Sequence, residues 1–261
     1  MFLKKSNPFN NSSRHKLSLT KNVLSKNSKF IKQIKKGLKN TSGRSTSTGH
    51  ITTRHKGGSV KKNYRLINFS NTDSANLVMT TVYDPNRSSF ISTNYDFLSK
   101  NFSNTIATHF VYPGSLLICS ASINELKLGY RTILKNIPTG SIIHNISYNK
   151  SMGTLIRAAG TFGQIVQKTE QNCKIKLPSG QIKELKINSY ATLGVVSNLQ
   201  NNLVVIGKAG TNRLLGKRPS VRGIAMNPVD HPHGGRTNGG MPSVTPWGKP
   251  TKGKPTVKYK N

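Results

Sequence analysis

The stretch RGIAMNPVDHPHGGRTNGG, Arg222 to Gly240, sets Asp230, His231 and His233 among proline and glycine in a chain of 261 residues with seven acidic side chains. Three chemistries are open to it. An imidazole titrates near neutrality and serves acid–base work; His-Pro-His is half of a metal site; or the segment is a loop shaped to lie against a partner. Catalysis lacks company, because no nucleophile sits beside the pair and adjacent residues point differently, so Asp230 is not placed to orient His231. Zinc would need further ligands from His15, His50, His55, His109 or His144, none at ligand spacing. The loop remains the best reading. Pro228 and Pro232 fix the backbone, Gly234 and Gly235 admit unusual dihedrals, and Asn227 and the histidines offer hydrogen bonds to a partner surface.

The partner follows from charge. Forty Lys and Arg against seven Asp and Glu give a formal charge of +33, which repels itself in a compact chain unless a polyanion answers it. Nucleic acid does so with a gain from counterion release. The competing partner, an anionic membrane, would need a basic amphipathic helix, an apolar span or a lipidation signal. Apolar stretches such as GSLLICSA are too short to span a bilayer, and no apolar signal-peptide core lies near Met1.

Most enzyme classes lose their chemistry to the same composition. The scattered acids suggest neither a carboxylate dyad nor a two-metal clamp, and no G-x-x-x-x-G-K-[ST] occurs. GTFG at Gly160 to Gly163 matches the G-x-x-G of single-strand RNA-binding loops, but a strand-linking turn explains it more simply. Cys119 and Cys173 lie far apart in apolar alternating runs, as buried small hydrophobes of a chain from a reducing compartment. No enzyme activity, cofactor or metal is expected.

The elements that must position these residues fall into three zones. Residues 1–72 hold 17 Lys/Arg and no acid, residues 73–184 hold 11 and six acids, and residues 185–261 hold 12 with Asp230 alone. The first zone cannot build a core and is expected to order only on binding. Within it, VLSKNSKFIKQIKKGLKN is compatible with a short basic amphipathic helix or with a solvated tract, and its Ser and Lys richness also mimics an organellar transit peptide. The middle reads as strands: YRLINF, LVMTTVY, FVYPGSLLIC, GSIIHNISY, GQIVQ, CKIKL and QIKELKI are β-rich runs divided by turn chemistry, as in small barrels. Asp84-Pro85-Asn86 predicts a type I turn, and LPSGQ predicts a hairpin in which Cys173 and Ile175 face inward and Lys174 and Lys176 outward. The last sixty residues lose periodicity and mix glycine with Lys208, Arg213, Lys217, Arg218 and Arg222, a composition suited to close approach to phosphate.

Eight collinear segments now carry a resemblance: GHITTRHKGGS, YDPNRSS, NIPTGSIIHNI, RAAGTFGQIV, LPSGQIKEL, ATLGVVSN, GKAGTNRLLGKRPSVRGIAMNPVDHPHGG and VTPWGKPTKGKPT. Together they resemble the hallmark segments of the large-subunit ribosomal protein two family. The resemblance implies a mainly β fold, with an OB-like barrel over 59–125 and an SH3-like barrel over 128–200. Basic extensions over 1–58 and 201–261 would penetrate the rRNA. It further implies large-subunit rRNA, neighbouring ribosomal proteins and the small subunit at the interface as partners, and a place near the peptidyl transferase region where RNA performs the chemistry.

The implied RNA contacts are Arg54, His55, Lys56, Gly57 and Gly58, then Arg87 and Arg157, then Lys208, Arg213, Lys217, Arg218 and Arg222. The opening loop adds Asn227, Asp230, His231, His233, Gly234 and Gly235, with His231 matching the family's characteristic histidine. Arg236, Thr237 and Asn238 depart from the glycine and nearby glutamate usual in bacterial members. The alternative is a free-standing basic RNA- or DNA-binding module. Heavy use of Asn, Lys, Ile and Ser looks like an AT-rich coding genome, which places the chain first in a mitochondrion, with plastid and bacterial cytoplasm behind.

Overall fold

The computed structural model describes residues 3–20, 24–25, 35–38, 42–123, 125–148, 152–236 and 241–253. Two compact units emerge, one of Met1–Asn40 with Val60–Asn212 and one of Thr41–Ser59 with Arg213–Asn261.

In the first unit, β1 (Leu3–Lys5) pairs antiparallel with β2 (Leu17–Leu19) across the short helix α1 (Asn11–Arg14), capped by the Asn10 side chain. Leu17 also bridges Val205. Next, β3 (Lys35–Leu38) pairs with β4 (Lys62–Arg65). The main strands follow: β5 (Ser74–Val82), β6 (Ile91–Asp96), β7 (Phe102–Ile106), β8 (Leu116–Cys119), β9 (Arg131–Ile133) and β10 (Ile142–His144). After the small pair β11 (Ile146–Ser147) and β12 (Gly153–Leu155) come β13 (Gly163–Lys168), β14 (Asn172–Lys176), β15 (Ile182–Lys186) and β16 (Tyr190–Leu193). A ten-stranded sheet runs in the order β15-β14-β13-β10-β16-β9-β8-β5-β6-β7.

The fold is mainly β, with β5–β8 in the half expected to be OB-like and β9–β16 in the half expected to be SH3-like. The halves join where β8 meets β9 in parallel, through Cys119 opposite Arg131. The largest core lies in the second half, where Leu134, Ile137, Ile143, Ile146, Ile165 and Ile175 are essentially inaccessible. Cys173 belongs to this core, and burial raises its pKa; the Cys119 thiol is pushed up to about 11 for the same reason. Both cysteines are buried and free, as their apolar runs predict. The LPSGQ hairpin forms between β14 and β15 with Lys174 and Lys176 exposed, and GTFG is a strand-linking turn with Gly160 at φ +68°.

Four strands of the ten-stranded sheet escaped the hydropathy pattern. In β6 and β7 most buried positions between Ile91 and Ile106 are polar: Thr93 donates to Asn104 at 3.0 Å, Ser92 and Thr105 pair at 2.9 Å, and Asn94 donates to Thr105 at 2.9 Å. Mutual hydrogen bonding allows burial without apolar side chains. The strands β9 and β16 are too short to show alternation. The basic N-terminal zone also lends structure: it supplies the β1–β2 pair, and Leu24 is 7% exposed in a cluster with Phe90 and Ala107. The amphipathic helix considered for 23–40 falls largely outside the described residues, and Lys35–Leu38 is strand.

Candidate RNA-binding surface

The second unit is built by a backbone ladder between two segments far apart in sequence. Lys56 and Lys217 form an antiparallel bridge, Gly57 N–H donates to Gly216 O at 3.0 Å, and Arg218 N–H donates to His55 O at 3.0 Å. The ladder needs glycine at Gly57 and Gly58, whose φ values are +141° and +67°. It also fits the arginines closely. A Cβ on Gly57 would lie 3.6 Å from Arg218 Cδ, and one on Gly58 would lie 3.4 Å from the Arg213 guanidinium. The imidazole of His55 packs along the same seam, with Nδ1 3.3 Å from Pro219 O.

The result is a cationic cleft of about 440 Å³ lined by Arg44, Arg54, His55, Lys56 and Arg218, with Asp230 as the acid at its wall. Three Lys/Arg in 41–59 and ten in 213–261 face that single carboxylate in sequence. Among the described residues no carboxylate comes within 4.0 Å of a cationic group of Arg54, Lys56, Arg213, Lys217, Arg218 or Arg222, and all six residues are exposed. Cations gathered without counter-charge repel one another, and the backbone ladder holds them together regardless. Arg54 lies 5.3 Å from the ring centroid of Trp247, which is 73% exposed. The pair offers charge and an aromatic face side by side, the combination that grips phosphate and stacks on a base.

The histidine loop follows a short 3-10 turn over Gly223–Ala225. Asp230 N–H donates to Asn227 O at 3.0 Å, Gly234 N–H to His231 O at 2.8 Å, and Gly235 N–H to Met226 O at 3.1 Å. Glycine is required twice by close approach: a Cβ on Gly234 would fall 2.3 Å from Asn227 O, and one on Gly223 would fall 2.7 Å from the His231 ring. In the chain alone the His231 ring is turned inward. Its residue is 8% exposed, its ring covers Gly223, and its Nδ1 accepts His233 N–H at 3.0 Å. Burial, then His233 and Arg54, lower its pKa, so the neutral form with Nε2 protonated is the one that fits. His233 Nε2 stands 2.7 Å from Pro242 O, which requires its proton there. Asn227 and Asp230 are exposed, so His231 shapes the loop that presents them.

Other predicted contacts sit in the first unit. Arg87 Nε lies 2.5 Å from the carboxylate of Asp84, which is fully buried and also takes Arg65 at 3.2 Å. The predicted Asp84-Pro85-Asn86 turn is present, with Asn86 N–H donating to Asp84 at 3.1 Å. The Arg157 guanidinium lies 4.9 Å from the Phe69 ring centroid, and Lys208 is exposed beside Gly207. Sequence reasoning missed Arg44, Trp247 and the Asp84 hub. The signal for Trp247 was its position as the sole tryptophan in a polar, glycine-flanked segment. For Asp84 there was none, because Arg65 is distant in sequence.

Residues 31–119 match the family described as Ribosomal Proteins L2, RNA binding N-terminal domain, and residues 127–248 match Ribosomal Proteins L2, C-terminal domain. The chain belongs to the ribosomal protein L2 family. Large ribosomal subunit protein uL2m of Reclinomonas americana is 43% identical over 98% of this chain and 94% of its own length. Large ribosomal subunit protein uL2 of Rhodospirillum centenum is 42% identical over 89% of this chain and 86% of its own, and that of Rickettsia felis is 41% identical over 100% and 96%. Among the described residues this L2-family chain has no group of three or more His, Cys, Asp or Glu that could hold a metal, and no helix long and apolar enough to cross a membrane.

Proposed function

We propose that the chain is a structural constituent of the large ribosomal subunit and binds large-subunit rRNA chiefly through residues 42–59 and 213–223. The observation that carries this reading is the ladder between Lys56 and Lys217, which gathers exposed cations with no carboxylate partner among the described residues. Phosphates supply the missing counter-charge. The relatives' names, large ribosomal subunit protein, support the same assignment.

Within that role, segments 1–58 and 201–261 are extensions along rRNA, and 59–125 and 128–200 are the two barrel regions. The loop Asn227–Gly235 reaches toward the peptidyl transferase region, where it supports subunit association and tRNA positioning while RNA does the chemistry. Neighbouring ribosomal proteins and the small subunit are the protein-side partners. The compartment is a mitochondrion, supported by AT-rich composition and by similarity to the Reclinomonas americana protein; close bacterial relatives keep the bacterial cytoplasm as the alternative.

Sedimentation of tagged chain through a high-salt gradient tests the proposal. Comigration with large subunits after a 0.5 M-scale salt wash is expected. Recovery with free RNA or DNA at the top of the gradient would favour a free-standing basic module.

A further inference from the structure

Trp247 stands at the tip of a small hairpin in the second unit. Val244 and Pro250 form an antiparallel bridge, Thr245 N–H donates to Lys249 O at 2.8 Å, and Thr251 N–H donates to Ser243 O at 2.8 Å. The tip is a β-turn closed by Gly248 N–H on Thr245 O at 2.9 Å, with Pro246 in its first central position, Trp247 in its second, and Gly248 in left-handed backbone at φ +76°. Lys249 N–H also reaches Thr245 Oγ1 at 3.1 Å. The base of the hairpin is tied to the histidine loop, because His233 Nε2 donates to Pro242 O at 2.7 Å.

This ordered support holds the sole tryptophan of the chain in water, 73% exposed. The Arg54 guanidinium lies over one face of the indole, 5.3 Å from the ring centroid, and exposure of that extent requires the opposite face to be open. Lys249 and Lys252 are exposed on the same segment, and among the described residues no carboxylate comes within 4.0 Å of a cationic group of Arg54, Lys249 or Lys252.

An occupant of the open face has to answer the ring and the cations together. An apolar side chain from a protein would cover the indole and leave cations desolvated beside it without counter-charge, which is costly. A base inside a duplex has both faces stacked already. An unpaired nucleotide meets both demands, since its base offers a flat π surface and its backbone an anion.

We propose that the open face of Trp247 is a stacking platform for one unpaired RNA nucleotide, whose neighbouring phosphate reaches Arg54 around the edge of the ring. This rests on the reading of the chain as an rRNA-binding protein and deepens it. Phosphate attraction alone does not tell a single strand from a duplex, whereas the platform does. Every base has a π-face, so the platform selects strandedness and tolerates any base.

Because the chain has one tryptophan, its intrinsic emission reports the platform alone. A short single-stranded RNA and the same sequence as a duplex are bound to the full chain at equal salt, with affinity read from the anisotropy of a label on the RNA. The single strand should quench the emission at saturation and the duplex should leave it unchanged. Trp247→Leu should weaken single-strand binding about fivefold or more, with duplex affinity and the salt slope preserved, and Trp247→Phe should restore most of the loss. A single strand that binds without quenching, equal quenching by the duplex, or a Trp247→Leu chain that binds both forms as the native chain does would overturn the proposal while salt-dependent binding through the cleft persists. Cross-links in intact subunits that join the Trp247 peptide to protein alone would give the face to a protein partner and overturn it as well. Loss of salt-dependent binding to both RNA forms would instead remove the rRNA-binding reading on which the platform rests.

Discussion

His231 Nδ1 accepts the backbone N–H of His233 at 3.0 Å, and the two rings lie 4.5 Å apart. The bond spans a proline and closes the loop on itself, so the most chemically suggestive residues in the sequence spend their polar atoms on local structure. Replacing His231 by Gln removes the ring that covers Gly223. The expected outcome is impaired incorporation into large subunits, with the pH profile of peptide transfer unchanged in subunits that do assemble. Loss of a titration near pH 6 to 7 from that profile would make the loop catalytic.

The glycines beneath the loop give a graded test. A Cβ at Gly223 meets only a side-chain ring, whereas one at Gly234 meets the Asn227 backbone. Gly223→Ala should cost about 1–3 kcal/mol as an overpacking change, and Gly234→Ala should cost more, because backbone must move. Denaturant unfolding combined with exchange rates of the His231 and Gly234 amides checks the order.

Asp84 holds two cations from a fully buried position. Asp84→Asn keeps the acceptor for Asn86 N–H and removes the charge. Loss of a buried partner costs about 3–5 kcal/mol; Arg65 and Arg87 keep 13% and 20% side-chain exposure and recover some hydration, which places the change at the lower end. Urea unfolding of the variant measures it.

Burial and the nearby Arg131 push the His144 pKa down to about 3, while its Nε2 pairs with Thr108 Oγ1 at 2.9 Å. The unfolded chain therefore binds the proton more readily than the folded one. Stability from this group is complete above its ordinary value near 6.5 and is lost progressively as pH falls from there toward 3, by a few kcal/mol. Thermal midpoints between pH 7 and 5 should fall for the native chain and fall less for His144→Asn.

How legible the molecule was follows the range of its contacts. Cys173, Ile175 and the LPSGQ turn act through neighbours in sequence, so alternation and turn chemistry displayed the β14–β15 hairpin. Asn94 and Asn104 bury polar side chains that find partners across strands in Thr105 and Thr93, and hydropathy passes over such pairs. Lys56 meets Lys217 across 160 residues, so sequence could show that each was basic and flanked by glycine but not that one ladder unites them. His231 shows the converse case. Its type suggested a partner-facing role, and its packing over Gly223, which has no side chain, adds a local role that the sequence did not display.

Neutralising Arg54, Lys56 and Arg218 together removes three cations from the cleft. Each phosphate contact contributes about 0.7–0.9 to the slope of log affinity against log salt, so the triple variant should lower the slope for large-subunit rRNA by about 2–3. An unchanged slope would assign these side chains to solvent.

The most direct measurement is ultraviolet cross-linking of intact large subunits that contain this chain, with cross-linked peptides identified by mass spectrometry. The account predicts large-subunit rRNA nucleotides attached to peptides covering Arg54–Gly58 and Arg213–Arg222. Cross-links that reach rRNA elsewhere on the chain but leave both segments unmodified, or that join them only to protein, would contradict it.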